Sequence, residues 1–269
     1  MQTKSLKAKY GLRAIALGYL ALLLILPVML VFYQAFSGGL FAVWEAVTRP
    51  AALHALWLTL VIAVIVVPLN TVFGVLCALA LVRSKARGRR LLNGLIDIPF
   101  TISPVIVGLA LIIVYGKNGW LGGLLGAAGI QVIFALPGMV LATIFVSLPF
   151  VVREVVPVLR EIGTDQEEAA TILGATPFQT FWQVTLPAIR WGVAYGVILT
   201  TARSIGEYGA VSIVSGKIAG RTETLTTHVE ERFQAFDLVG SYTASIVLAM
   251  LALATLLAMN LLNRSREEA

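Results

Sequence analysis

The chain has 269 residues, of which 58% are hydrophobic and 13% are charged, and its formal net charge is +6. A water-soluble domain of this length cannot bury so much apolar surface in one core, so the composition excludes an ordinary soluble protein and indicates a lipid bilayer as the solvent. The chain has one cysteine, Cys77 in an apolar stretch, and a single cysteine excludes a disulfide framework within the chain.

Six stretches are long and apolar enough to cross a membrane, since a spanning helix needs about 20 mostly apolar residues. The predicted spans are residues 14–36, 53–82, 96–115, 133–152, 189–214 and 239–262. The third has the weakest signal because Pro99 and Pro104 interrupt it. We expect the first to remain in the mature chain, because its apolar run is too long for a signal peptide. The predicted fold is an all-α membrane protein with six transmembrane helices.

The distribution of basic residues predicts the orientation of these spans. If both chain ends are cytoplasmic, fourteen of the 20 Lys and Arg residues are cytoplasmic, five lie in outer loops and Arg203 lies in a span. This positive-inside pattern predicts cytoplasmic ends at residues 1–13 and 263–269, flanking a transmembrane domain at 14–262. The basic stretch RSKARGRR, residues 83–90, is interpreted as a topology signal beside anionic lipid headgroups rather than a nucleic-acid site.

The longest predicted cytoplasmic segment, residues 153–188, carries its own helix signals. Thr164 and Glu167 match the capping-box pattern, which predicts a helix beginning at Asp165. Acidic residues in its first turn suit the helix dipole. Gly174 is typical of the residue that ends such a helix.

A second short helix is predicted immediately afterwards. Thr176 is a suitable N-cap, Pro177 suits the first helical position, and we expect Pro187 to end the helix. Several side chains of the pair are too apolar for a solvated surface: Ile172, Leu173, Phe178, Phe181 and Trp182. From these residues alone, the pair either folds back on the bundle or offers a patch to a partner.

The stretch EAATILGATPFQTFWQVTLP, residues 168–187, resembles the EAA loop of ABC importer permeases. In that family the loop forms a coupling helix that docks in a groove on an ATPase subunit, so the resemblance favours the partner patch. It assigns the coupling role to Glu167, Glu168, Ala169, Ala170, Gly174, Phe178, Leu186 and Pro187.

Three further stretches, residues 97–116, 130–159 and 202–216, resemble the sulfate/thiosulfate group of these permeases, which is close to the molybdate permeases. The last, ARSIGEYGAVSIVSG, is most similar to the W-type subunit of that group. The resemblance implies a MetI-like permease fold in a bacterial inner membrane. It also implies a T-type permease partner, two ATPase subunits that bind ATP and Mg²⁺, and an external sulfate-binding protein. The chain has no G-x-x-x-x-G-K-[ST] phosphate loop, and we expect it to bind no cofactor and to catalyse no reaction.

Two charges lie inside the fifth predicted span. Gly196, Thr200, Arg203 and Glu207 are spaced by four, three and four residues, which places them on one helix face. Gly192 and Gly196 form a small-xxx-small pattern, so this face is expected to contact protein rather than lipid.

Charges in a membrane are costly, and Arg203 and Glu207 can neutralise one another at i,i+4. The pair has three interpretations. It is a structural ion pair, the wall of an anion path in which Arg203 lowers the barrier, or part of a gate at the glycine-flanked GEYG turn. The candidate pathway residues are Thr200, Arg203, Glu207, Ser103 and Pro104.

Other polar groups receive structural interpretations. Asp97 is predicted to be an interfacial cap, and His54 and His228 lack partners at metal-ligand spacing. The stretch ETLTTHVEERFQAF, residues 223–236, lies in a predicted outer loop and is predicted to form a helix lying on the bundle. Its single apolar stripe includes Leu225, Val229, Phe233 and Phe236.

Two other function classes compete with a permease subunit. A membrane enzyme using Ser204 is disfavoured, because no histidine lies at mid-membrane depth to act as its base. A gradient-driven carrier would suit a charged, broken span, but it leaves the EAA loop unexplained.

Overall fold

The computed structural model describes residue 10, residue 13, and residues 15–84 and 88–267, with only the backbone described for 262–267. These residues form helices and short connections, with no strand among them. The predicted N-terminal segment lies almost entirely outside the described residues, as do residues 85–87 of the basic stretch and the last two residues of the predicted tail.

Twelve helices follow one another along the described chain: α1 (Ile15–Phe36), α2 (Gly39–Thr48), α3 (Pro50–Arg83), α4 (Arg89–Thr101), α5 (Pro104–Tyr115), α6 (Gly122–Ala127), α7 (Leu136–Glu161), α8 (Asp165–Ile172), α9 (Pro177–Ile205), α10 (Gly209–Val214), α11 (Leu225–Gln234) and α12 (Leu238–Glu267). The helices α1, α3, α7, α9 and α12 are each long and apolar enough to span a membrane. The pair α4 and α5 makes a sixth span if it is counted as one.

The third predicted span is not one helix, because α4 and α5 are bent by 110° relative to one another. Pro104 is the first residue of α5, and Ser103 before it is extended, with ψ of 133°. A proline disfavours helical conformation in the residue that precedes it, which explains the break. Pro99 lies within α4 without ending it.

The predicted bounds of the fifth span were wrong at both ends. Its helix, α9, begins at Pro177 and runs through Pro187, which was expected to end the preceding helix. A π-helical turn, Phe181–Thr185, widens the backbone just before that proline, so its missing N–H and its ring are accommodated. At the other end α9 stops at Ile205, and the chain resumes a helix only at Gly209.

The centre of the bundle is built from α3, α7 and α9, which meet at glycines. A Cβ on Gly74 of α3 would lie 2.6 Å from Cβ of Val151 in α7, and one on Gly196 of α9 would lie 2.9 Å from Cα of Val151. A Cβ on Gly192 would lie 3.0 Å from the carbonyl oxygen of Glu154. The predicted close contact at Gly192 and Gly196 is therefore confirmed, and the three helices pack backbone to backbone.

The two broken spans meet beside this centre, where α5 packs against α10. A Cβ on Gly108 would lie 2.9 Å from the carbonyl oxygen of Ala210, and one on Gly209 would lie 2.9 Å from Cβ of Pro104. The break before α5 and the break before α10 are thus neighbours in the fold.

Candidate functional site

The EAA segment, residues 162–187, runs from the end of α7 through α8 and includes the first eleven residues of α9. As predicted, α8 begins at Asp165 and has acidic residues in its first turn. The predicted capping box does not form, because the Thr164 hydroxyl donates to Oε1 of Glu168 at 2.8 Å. The Glu167 side chain turns instead toward Arg83 of α3.

Gly174 ends α8 in the conformation that the sequence predicted. Its φ is +88°, and no heavy atom lies within 4 Å of a Cβ built there, so the backbone angle alone favours glycine. The N–H of Ala175 donates to the carbonyl of Ala170, and that of Gly174 donates to the carbonyl of Thr171, each at 3.0 Å. These two bonds form a Schellman motif that satisfies the end of the helix.

The start of the next helix is capped as predicted. The N–H of Gln179 donates to the Thr176 hydroxyl at 3.3 Å, and the N–H of Thr176 donates to the Gln179 side chain at 2.8 Å. With Pro177 at the first helical position, the turn between α8 and α9 is rigidly specified by its own hydrogen bonds.

The EAA segment exposes large apolar side chains that no other described part of the chain covers. Ile172, Leu173, Phe178 and Trp182 are 85%, 87%, 72% and 52% exposed, and together they are called the apolar patch. Phe181 instead packs against the core. Among the other residues assigned to coupling, Glu168, Ala169, Gly174 and Pro187 are exposed, whereas Glu167, Ala170 and Leu186 are half-buried.

Near the other end of α9, the predicted ion pair between Arg203 and Glu207 forms. Nη2 of Arg203 lies 2.5 Å from Oε2 of Glu207, and the two side chains are 29% and 1% exposed. The other carboxylate oxygen of Glu207 accepts the N–H of Ala210 at 2.8 Å, which holds the first turn of α10. Thr200, on the same face of α9, is fully buried.

The remaining pathway candidates belong to the neighbouring break. Pro104 contacts Gly209, as described above, and Ser103 is exposed. The three residues between Ile205 and Gly209 are non-helical, so the GEYG turn is an actual interruption of the helix. The structure therefore brings Pro104 to the turn that contains Glu207.

The α10–α11 segment, defined as residues 206–237, contains this turn, and residues at the start of α11 hold it from the side. The hydroxyl of Thr226 donates to the carbonyl of Glu207 at 2.9 Å. The N–H of Leu225 donates to the hydroxyl of Thr59 in α3 at 2.8 Å. Neither threonine was singled out from the sequence, because a hydroxyl in an apolar stretch gives no signal of its distant partner.

The predicted outer helix exists as α11, but its predicted apolar stripe was only partly right. Leu225 is buried and Val229 is half-buried, whereas Phe233 is 55% exposed. Phe236 is 89% exposed and lies beyond the last residue of α11. The helix rests on the bundle through its polar first turns rather than through those phenylalanines.

Polar groups on and before α11 form a buried cluster. Nδ1 of His228 lies 2.8 Å from Oε1 of Glu223, and both residues are buried. Burial raises the pKa of Glu223, but its hydrogen bonds with His228 and Glu231 outweigh burial and lower that pKa below the ordinary value. Burial, and then the neighbouring Glu223, raise the pKa of Glu231. The described residues contain no group of three or more His, Cys, Asp and Glu side chains that could hold a metal ion.

The prediction that Asp97 is an interfacial cap was wrong. It lies well inside α4, which begins at Arg89, and it forms an ion pair with Arg153 of α7. Arg153 was predicted to lie in a loop because the fourth predicted span ends at residue 152. In the structure α7 continues to Glu161. The ion pair explains how two charges remain between neighbouring helices.

Comparison with known proteins matches residues 70–267 to the family described as binding-protein-dependent transport system inner membrane component. The chain is 51% identical over 261 residues to the sulfate transport system permease protein CysW of Synechocystis sp., covering 97% of this chain and 95% of the relative. It is 38% identical over 244 residues to the sulfate transport system permease protein CysT of Synechococcus elongatus, covering 91% and 88%.

A solved structure has the same fold. A chain of a bacterial ABC transporter involved in the import of the acidic polysaccharide alginate superimposes with a TM-score of 0.80 at 18% identity, covering 98% of each chain. At this identity the likeness concerns the fold alone, and it extends over the broken spans as well as the long helices.

Proposed function

The chain belongs to the family of binding-protein-dependent transport system inner membrane components, and we propose that it is the W-type membrane subunit of an ABC importer for sulfate and thiosulfate. The observation that carries this proposal is the difference between its two kinds of relatives. Identity to a CysW protein is 51%, whereas identity to a CysT protein is 38%. Both comparisons cover nearly the whole chain, so the difference favours the W-type role.

The proposed assembly follows from the family and from the apolar patch. A T-type permease pairs with this chain around a central path, two ATPase subunits supply the energy, and an external binding protein delivers the anion. The apolar patch docks on one ATPase subunit. Large exposed apolar groups on a rigid turn are typical of a protein interface. The orientation predicted from the basic residues places the EAA segment and both chain ends in the cytoplasm of a bacterial cell.

The proposed mechanism is alternating access without chemistry on this chain. ATP and Mg²⁺ bind to the partner ATPases, and their closure moves the docked EAA segment, which in turn moves the spans. Arg203 lines the path near the helix break, where its partly exposed guanidinium lowers the cost of bringing an oxyanion out of water. Glu207 holds that guanidinium in place and fixes the start of α10.

The experiment is sulfate uptake in a bacterium that lacks its own sulfate importer. The chain is expressed with a T-type permease, an ATPase and a sulfate-binding protein, and uptake of radiolabelled sulfate is measured with and without each subunit. We expect uptake that requires all four subunits and is inhibited by excess thiosulfate. Uptake that continues without the ATPase would identify a gradient-driven carrier, and inhibition by molybdate but not by thiosulfate would identify a molybdate importer.

A further inference from the structure

An arginine and a glutamate together join four parts of the chain at the end of the bundle where the EAA segment lies. Arg83 occupies the last position of α3, and its Nε lies 2.9 Å from Oε2 of Glu167 in α8. Its Nη2 donates to the carbonyl of Gly163 at 2.5 Å, and its Nη1 donates to the carbonyl of Leu159 at 3.2 Å. The guanidinium therefore links α3 to the end of α7 and to the first turn of α8.

The fourth part is the π-helical turn of α9. The hydroxyl of Thr185, which is buried, donates to Oε1 of Glu167 at 2.9 Å. The side chains of Arg83 and Glu167 are 19% and 20% exposed, so water screens this pair less than it screens a surface ion pair. Glu167 is thus bonded on both sides within the chain.

The helix that ends at Arg83 is suited to carry a movement across the membrane. From Thr59 to Arg83 it extends about 36 Å, at a rise of roughly 1.5 Å per residue. Within α3 the side chain of Asn70 donates to the carbonyl of Ile144 in α7 at 3.1 Å, so the two helices are also bonded between their ends. At the far end Thr59 accepts the N–H of Leu225, next to the threonine that holds the GEYG turn.

We propose that Arg83, Glu167 and Thr185 form an internal joint that transmits movement of the docked EAA segment to α3 and α7, and that Glu167 is a positioning residue rather than an ATPase contact. This inference rests on the proposed function, because it concerns how ATP hydrolysis is coupled to transport. Arg83 donates three charge-assisted hydrogen bonds, to Glu167, Gly163 and Leu159, and the buried hydroxyl of Thr185 donates a further bond to Glu167. A displacement of α8 therefore moves the ends of α3 and α7 with it instead of bending the loop.

The experiment uses the complete complex in proteoliposomes, with sulfate uptake and ATP hydrolysis measured in the same samples. Uptake by the wild-type complex that requires ATP establishes the proposed function independently of the joint. In Arg83→Gln and Glu167→Gln we expect the ATPase to copurify and hydrolysis to remain, while sulfate transported per ATP falls about fivefold. The double variant should fall no further than the single ones, because both substitutions break the same joint.

Two further variants separate this role from a general loss of stability. Thr185→Val removes only the hydroxyl bonded to Glu167 and is expected to lower the same ratio by about twofold. Arg49→Gln breaks a chemically similar ion pair with Asp237, 2.6 Å away at the opposite end of α3, and should leave the ratio unchanged. A normal ratio in Arg83→Gln, Glu167→Gln and Thr185→Val would overturn the joint. Failure of the ATPase to copurify with Glu167→Gln would equally overturn it, since Glu167 would then be a docking residue.

Discussion

The EAA segment and the α10–α11 segment both include turns between helices of the bundle, but the first exposes apolar groups beside a hydrogen-bonded turn whereas the second buries a cluster of polar groups. The EAA segment leaves Leu173 and Phe178 more than two-thirds exposed, at 87% and 72%. The α10–α11 segment buries Glu223, Thr227 and His228 almost completely. The contrast is therefore between exposed apolar groups around the EAA turn and buried polar groups around the start of α11.

This difference indicates how the conformation of each segment is stabilised. A buried polar group must be hydrogen-bonded within the molecule, so the bond from Leu225 to Thr59 of α3 and the bond from Thr226 to Glu207 hold the start of α11 in place. Exposed apolar groups on a hydrogen-bonded turn gain free energy only when another molecule covers them. The conformation of the EAA turn is accordingly set by its own chain, and its exposed apolar groups suit the docking proposed above.

The largest expected effect comes from changing the shape of the EAA turn. Gly174→Asp places a side chain at φ of +88°, which costs about 1 kcal/mol, and adds a carboxylate beside the apolar patch. We expect the protein to insert at normal levels and sulfate uptake to be abolished, because the patch can no longer dock. Membrane fractionation measures insertion, copurification of the ATPase measures docking, and uptake assays measure sulfate transport.

A matched control exists at Gly129, which lies outside both segments. It also has positive φ, at +69°, and no atom within 4 Å of a Cβ built there. Gly129→Asp therefore introduces similar backbone strain and the same charge, and it should leave ATPase copurification unchanged. Equal loss of copurification in both variants would show that strain anywhere in the bundle, rather than docking at the EAA turn, causes the defect.

A smaller effect is expected where α9 meets the α10–α11 segment. Arg203→Gln removes the positive charge but keeps an N–H donor for the buried carboxylate of Glu207. We expect uptake to fall on the order of tenfold, corresponding to about 1.4 kcal/mol in the barrier, while assembly and ATP hydrolysis survive. Arg153→Gln, which alters the ion pair with Asp97 between α7 and α4, serves as the control. Loss of assembly in Arg203→Gln alone would identify the pair with Glu207 as structural and contradict its role in the path.

The two segments also differ in how far the sequence predicts them. The glycine that ends α8 and the cap at Thr176 depend on neighbouring residues, so local patterns were sufficient, and the start of α8 at Asp165 was also correct although its predicted capping box does not form. The pair Arg203 and Glu207 was likewise visible from its i,i+4 spacing. The contact of Glu223 with His228 and the bond from Leu225 to Thr59 depend on how the helices pack, which no local pattern shows.

The errors in the predicted spans also arise because local patterns do not show the surrounding structure. Pro187 is a helix breaker by its local chemistry, and only the π-helical turn before it makes a continuous α9 possible. Arg83 was counted as one of many cytoplasmic basic residues, although its ion pair with Glu167 joins α3 to α8. A basic residue at the end of a span indicates topology, but its partner becomes evident only when the helices are placed in space.

The smallest effect concerns pH and the buried cluster of the α10–α11 segment. Burial and then Glu223 raise the pKa of Glu231, so the stability contributed by its protonated form is fully present below the ordinary pKa of 4.5 and is lost as pH rises through the raised value. Glu231→Gln remains neutral, and its thermal stability in detergent should exceed that of the wild type by a few degrees at neutral pH and match it in acid. Burial alone would raise the pKa of Glu230 too, but its hydrogen bond to Lys217 lowers that pKa, so Glu230→Gln should be less stable than the wild type at neutral pH. Shifts of the same sign in both variants would show that net charge, rather than the arrangement of these two carboxylates, governs the stability of α11.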